Sequence, residues 1–150
     1  MQFSSVEEIL DYAIEREEMT ARMYHDLATT VERPGMKEAF LEFAAEEGRH
    51  KVRLMKVKAG EMPALSYEKV ANLEIGEHLV QPEISKNMNF QEVLAFAIKS
   101  EKVAYDLYIQ LAAASTDAGL SEVFRSLAQE EAKHKLRFEQ EYEDKVLEGV

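Results

Sequence analysis

The sequence repeats itself. Residues 5–56 laid over residues 89–140, a constant offset of 84 with no gaps, agree at 17 of 52 positions. The matched pairs include Leu10/Leu94, Ala13/Ala97, Ile14/Ile98, Glu17/Glu101, Tyr24/Tyr108 and Leu27/Leu111. Further along they include Gly35/Gly119, Phe40/Phe124, Ala44/Ala128, Glu46/Glu130, Glu47/Glu131, His50/His134, Lys51/Lys135 and Arg53/Arg137. Shared helical patterning reproduces apolar classes, not particular Glu, His, Tyr and Arg positions. Whatever one segment folds into, the chain therefore holds twice.

Each copy reads as two helices. The 150 residues contain only three prolines and six glycines. Between these lie stretches rich in Ala, Leu, Glu, Lys and Met, the strong helix formers. The pattern predicts helices over about 6–31, 35–58, 90–115 and 120–147. Ser5 with Glu8 and Asn89 with Glu92 have the spacing of a capping box, and Met88 with Val93 that of a hydrophobic staple. Pro34-Gly35 and Ala118-Gly119 read as tight turns. Residues 60–88 read as a crossover, with a short helical turn at Tyr67–Val70. A lone hairpin cannot bury its apolar stripe, so two should close into an all-α four-helix bundle, one domain spanning residues 1–150. A 28-residue crossover can run the bundle's length and let the second hairpin enter inverted.

The predicted core stripes carry polar residues at their centres. The first helix gives Val6, Leu10, Ala13, Glu17, Thr20, Tyr24, Leu27 and Val31; the third gives Phe90, Leu94, Ala97, Glu101, Ala104, Tyr108, Leu111 and Ser115. The second gives Met36, Phe40, Phe43, Glu47, His50, Leu54 and Val57, and the fourth Leu120, Phe124, Leu127, Glu131, His134 and Phe138. Counted from the turn near Arg33 at 1.5 Å per residue, Glu17, Glu47 and His50 fall within about 5 Å of one level. The repeat sets Glu101, Glu131 and His134 likewise.

Four buried carboxylates cost several kcal/mol each unless compensated, and no Lys or Arg occupies these stripes. Two divalent cations would supply the missing charge and leave both imidazoles neutral. Residues i and i+3 share a helix face, so each Glu-x-x-His can aim two donors at one ion. Mixed carboxylate and imidazole donors suit iron, manganese or zinc.

Glu17, Glu47-x-x-His50, Glu101 and Glu131-x-x-His134, set on a duplicated hairpin, resemble the ferritin-like di-iron carboxylate proteins. The Glu-Glu-x-x-His form at Glu46–His50 and Glu130–His134, with the chain length, resembles the rubrerythrin branch. The resemblance covers about 6–58 and 90–147. It implies a ferritin-like bundle holding two Fe ions, with Mn or Zn as alternatives. Glu17, Glu47, Glu101 and Glu131 would hold and bridge the metals, with His50 and His134 one on each. It further implies a non-haem di-iron oxidoreductase that reacts with hydrogen peroxide or O2, drawing electrons from an external donor such as rubredoxin. A ferroxidase or iron-binding mini-ferritin and a di-manganese catalase are the alternatives. Two departures stand out: Ala104 occupies the place of an extra rubrerythrin glutamate, and no cysteine is present to build a rubredoxin centre. What is left is a symmetric six-ligand set, as in bacterioferritin-type ferroxidase centres and manganese catalases.

Other residues carry weaker signals. Tyr24 and Tyr108 follow Glu17 and Glu101 by seven residues on the same face; each is a hydroxyl serving the site or a core aromatic. Arg53 and Arg137 read as salt-bridge residues at the ends of the stripes, Glu46 and Glu130 as residues of solvated faces, and His25 and His78 have no histidine counterpart in the repeat. Ile9, Tyr12, Met19, Met23, Val93, Phe96, Val103 and Leu107 lie off the main stripes, either under the crossover or on a homodimer face, and family habit favours the dimer. The charge of −11 disfavours nucleic acid and anionic lipid. Without an apolar run long enough to span a bilayer or a secretory leader, a cytoplasmic location with no membrane partner is expected.

Overall fold

The computed structural model describes residues 5–61, 89–115 and 117–147, excepting the side chains of Val6, Pro34 and residues 145–147. The expected crossover falls outside these residues from position 62 on, and with it Tyr67–Val70, His78 and Met88. Four helices make up the described chain: α1 (Val6–Thr30), α2 (Pro34–Lys58), α3 (Phe90–Ala114) and α4 (Ala118–Leu147). Among the described residues there is no strand, and no helix is long and apolar enough to cross a membrane. The helices pack in sequence order, α1 on α2 and α3 on α4, and the chain divides into two compact units with one hairpin in each.

Local chemistry fixes the helix ends. Ser5 Oγ accepts from the Glu8 amide at 3.0 Å, satisfying one of the donors a helix start leaves open. Asn89 and Glu92 form a full capping box: the Glu92 amide donates to Asn89 Oδ1 at 2.8 Å, and the Asn89 amide donates to Glu92 Oε1 at 3.2 Å. At α4 the Leu120 amide donates to Asp117 Oδ1 at 2.9 Å. The end of α2 is a Schellman motif, with Gly60 at φ +81° and the Glu61 amide donating to the Lys56 carbonyl at 3.1 Å. Only glycine takes that backbone without strain.

Two sequence expectations need correcting. Pro34-Gly35 opens α2 rather than forming the turn, which lies at 31–33. A first-turn amide has no helical acceptor, so proline loses nothing there and its fixed φ suits the helix. Ala118-Gly119 likewise lies inside α4. The turn before it is held by Ser115 Oγ donating to the Asp117 carbonyl at 3.1 Å and Ser121 Oγ donating to the Ala112 carbonyl at 2.9 Å.

The predicted stripes are the buried faces. In the first hairpin Leu10, Ala13, Tyr24, Leu27, Met36, Phe40, Phe43, Leu54 and Val57 are buried; in the second Leu94, Ala97, Tyr108, Leu111, Leu120, Phe124, Leu127 and Phe138 are. Tyr24 stacks on Phe40 with ring centroids 5.8 Å apart, and Tyr108 stacks on Phe124 at 6.4 Å. The second pair is the first moved by 84 residues, so the repeat extends to packing. Of the off-stripe residues, Ile9, Met23, Val93, Phe96, Val103 and Leu107 are also buried, while Met19 is exposed. Those six are therefore covered within the chain.

Candidate metal centre

The turn at 31–33 folds α2 back along α1, and this antiparallel register brings Glu17 opposite Glu47 and His50. All three are at most 3% exposed. Each offers a ligand atom within 4.8 Å of the others'. His50 Nδ1 lies 3.5 Å from Glu17 Oε2 and 3.8 Å from Glu47 Oε2. The second hairpin repeats the arrangement. Glu101, Glu131 and His134 are at most 2% exposed, again with ligand atoms within 4.8 Å of one another, and His134 Nδ1 lies 3.7 Å from Glu101 Oε1.

These separations exceed the 2.7–3.2 Å usual for N–H···O hydrogen bonds. They are close to the upper end of the spacing of two donors on one ion: ligand atoms about 2.0–2.2 Å from a metal, at octahedral to tetrahedral angles, lie roughly 2.8–3.6 Å apart. Among the described residues, the buried side-chain atoms that make no hydrogen bond are Glu17 Oε2, Glu47 Oε1, His50 Nδ1, Glu101 Oε2, both Glu131 oxygens and His134 Nδ1. All belong to the two triads. Buried polar atoms otherwise nearly always find a hydrogen-bond partner, and a cation would satisfy these. The donor set thus fits a divalent transition metal in each hairpin.

Other predicted residues sort cleanly. Tyr24 and Tyr108 are buried, with rings seated in aromatic contacts; Tyr24 also meets Phe43 edge-on at 6.2 Å. Arg137 pairs with Glu141 at 3.4 Å, Glu46 lies 4.0 Å from Arg49, and Arg53 and His25 are exposed. The sequence stripes did not include Arg16, only 7% exposed and adjacent to Glu17 in the chain. Its seven-residue spacing from Ile9 and from Met23, both buried, was the available signal. Ser100, its counterpart in the repeat, is buried too.

Comparison with known proteins agrees with this picture. Over 97% of the chain the fold matches a crystal structure from Thermotoga maritima, assigned to the ferritin-like diiron-carboxylate proteins, at TM-score 0.79, 24% identity and 99% coverage of that chain. A hypothetical protein from Pyrococcus furiosus matches over 93% of this chain and 89% of its own, at TM-score 0.71 and 25% identity. No curated protein matches. Fold and donor triads together define an all-helical protein of the ferritin-like class with buried carboxylate–histidine clusters able to bind metal. The rubrerythrin family model matches residues 8–142; the chain belongs to the rubrerythrin family.

Proposed function

We propose that the chain is a two-metal oxidoreductase that reduces hydrogen peroxide or O2 with electrons from a separate donor protein. The observation that carries this reading is the pair of buried Glu/Glu-x-x-His triads, whose donor atoms converge within each hairpin. One triad supplies Glu17, Glu47 and His50 and the other Glu101, Glu131 and His134, a complement for two ions per chain. Kinship with the rubrerythrin family supports reading both triads as metal ligands. Iron bound there would supply two-electron chemistry towards the oxidant. The protein's own part is to hold donors in place, balance charge and keep bulk water out, which the near-zero exposure of all six side chains serves. Tyr24 and Tyr108 are proposed to steady the site from two helical turns away, through hydroxyls directed to ligand carboxylates.

A second reading rests on Ala104, buried at 5% exposure where a seventh metal-binding glutamate is expected. The remaining six-donor set is symmetric, as a ferroxidase or di-manganese catalase centre would be. Anaerobic reconstitution with ferrous iron, followed by rapid mixing with peroxide and with O2 in parallel, separates the readings. Peroxide consumption over many turnovers, dependent on added reductant, supports the oxidoreductase. Oxygen evolution from peroxide without reductant, in manganese-loaded protein, would favour the catalase. Oxidation by O2 of many added ferrous ions per chain, without added reductant and with growth of a mineral core, would favour storage.

A further inference from the structure

The ligands of the two triads match, but the charges beside them do not. Arg16, which precedes Glu17 in α1, is buried, and it is the one Arg or Lys among the described residues that is. Its counterpart before Glu101 in α3 is Ser100, also buried. A guanidinium keeps its proton at any working pH. Within its own hairpin the first triad thus has a permanent buried cation as chain neighbour, and the second has a neutral hydroxyl.

The repeat lets the other neighbours be compared position by position. Along α2 and α4 the charges within a turn of the ligands agree: Glu46 matches Glu130, Arg49 matches Lys133, and Lys51 and Arg53 match Lys135 and Arg137. Thr20 against Ala104 alters polarity, not charge. The remaining differences lie on α1 and α3 and run the opposite way, with exposed Glu15 and Glu18 against exposed Lys99 and Lys102. Two of those four are paired, Glu18 with Lys51 at 3.5 Å and Lys102 with Asp106 at 3.4 Å. Water and salt screen all four, whereas a charge removed from water acts through an effective dielectric constant about fourfold lower. The buried cation decides the balance.

We infer that Arg16 makes the two metal positions unequal: its charge repels an ion held by Glu17, Glu47 and His50, so Glu101, Glu131 and His134 fill first and bind more tightly. The inference rests on both triads being metal ligands, as proposed above. In the second hairpin two carboxylates, a neutral imidazole and a divalent ion sum to zero. Arg16 leaves the first with a surplus positive charge. At a separation on the order of 10 Å and an effective dielectric constant of about 20, a unit charge beside a divalent one changes affinity by more than about tenfold. Without metal the effect changes sign, because the guanidinium then offsets the carboxylates beside it.

Anaerobic titration of the chelated full chain with cobaltous ion, followed by absorbance and by competition with a chelator, reads each binding step. Two ions should bind per chain, with dissociation constants at least about tenfold apart. His50→Ala should abolish the weaker step and His134→Ala the tighter one. Arg16→Gln should tighten the weaker step severalfold, Arg16→Lys should keep most of the gap, and Glu15→Gln should leave it nearly unchanged. A second readout needs no metal and no change at Arg16. Glu131→Gln should raise the melting temperature of the chelated protein more than Glu47→Gln does, since the first triad's charge is already offset. Equal affinities, loss of the tight step in His50→Ala, a gap unmoved by Arg16→Gln, or equal melting gains would each overturn the inference while leaving both triads as metal ligands. A chain that binds no cobalt would overturn that underlying reading as well.

Discussion

At the scale of single residues, the triads pit stability against metal binding. Six polar side chains occupy positions that apolar residues would otherwise fill, and without metal their charge is costly. Glu47→Gln or Glu131→Gln should therefore raise the melting temperature of the metal-free protein, by a few degrees for a gain of about 1–3 kcal/mol. The same change should lower it in the metal-loaded protein, and thermal melts in both states check the reversal. His134→Ala should remove about one metal ion per chain by elemental analysis while leaving the first triad's ion bound. These six residues were legible in the sequence because the stripes around them are otherwise apolar and because they recur at one offset. Arg16 was not. Its burial depends on what covers the Ile9–Met23 face, and helical spacing along one segment cannot report a neighbour.

At the scale of elements, caps and cross-hairpin contacts hold the register that aligns the donors. Asn89→Ala breaks both arms of the capping box and should cost about 1 kcal/mol, measured by chemical denaturation. Phe124→Ala removes the partner on which Tyr108 stacks and should cost about 3–5 kcal/mol. Where α2 ends, Lys58 pairs with Asp11 and lies near Glu7 of α1. The hydrogen bond to Asp11 raises the Lys58 pKa above its ordinary 10.5. Stabilisation from a raised pKa is complete below the unfolded value and is lost as pH climbs through the folded one. The small melting-temperature gap between the unmodified protein and Asp11→Asn should therefore hold to about pH 10 and close above it. The sequence placed all four helices to within two residues at each end. It misplaced the turns, because Pro-Gly and Ala-Gly pairs punctuate a chain equally well just before a helix or in its first turn.

At the scale of the molecule, metal and fold are linked. A ligand that binds only the folded state stabilises it by about 4 kcal/mol at a free concentration a thousandfold above Kd. Adding ferrous or manganous ion to the chelated protein should therefore raise the melting temperature progressively, and a melt indifferent to metal would contradict the site. The overall class was readable because the repeat converts one hairpin into two. The oxidant was not, since peroxide and O2 place the same demands on ligands and differ in what surrounds them. Each triad is assembled inside one hairpin, across a short turn. The two copies are thus free to drift apart so long as each keeps its own three donors, as Arg16 opposite Ser100 and Gly48 opposite Ala132 already show. A designer could retune one ion's surroundings, its metal preference or its potential, and leave its twin as an unaltered reference in the same polypeptide.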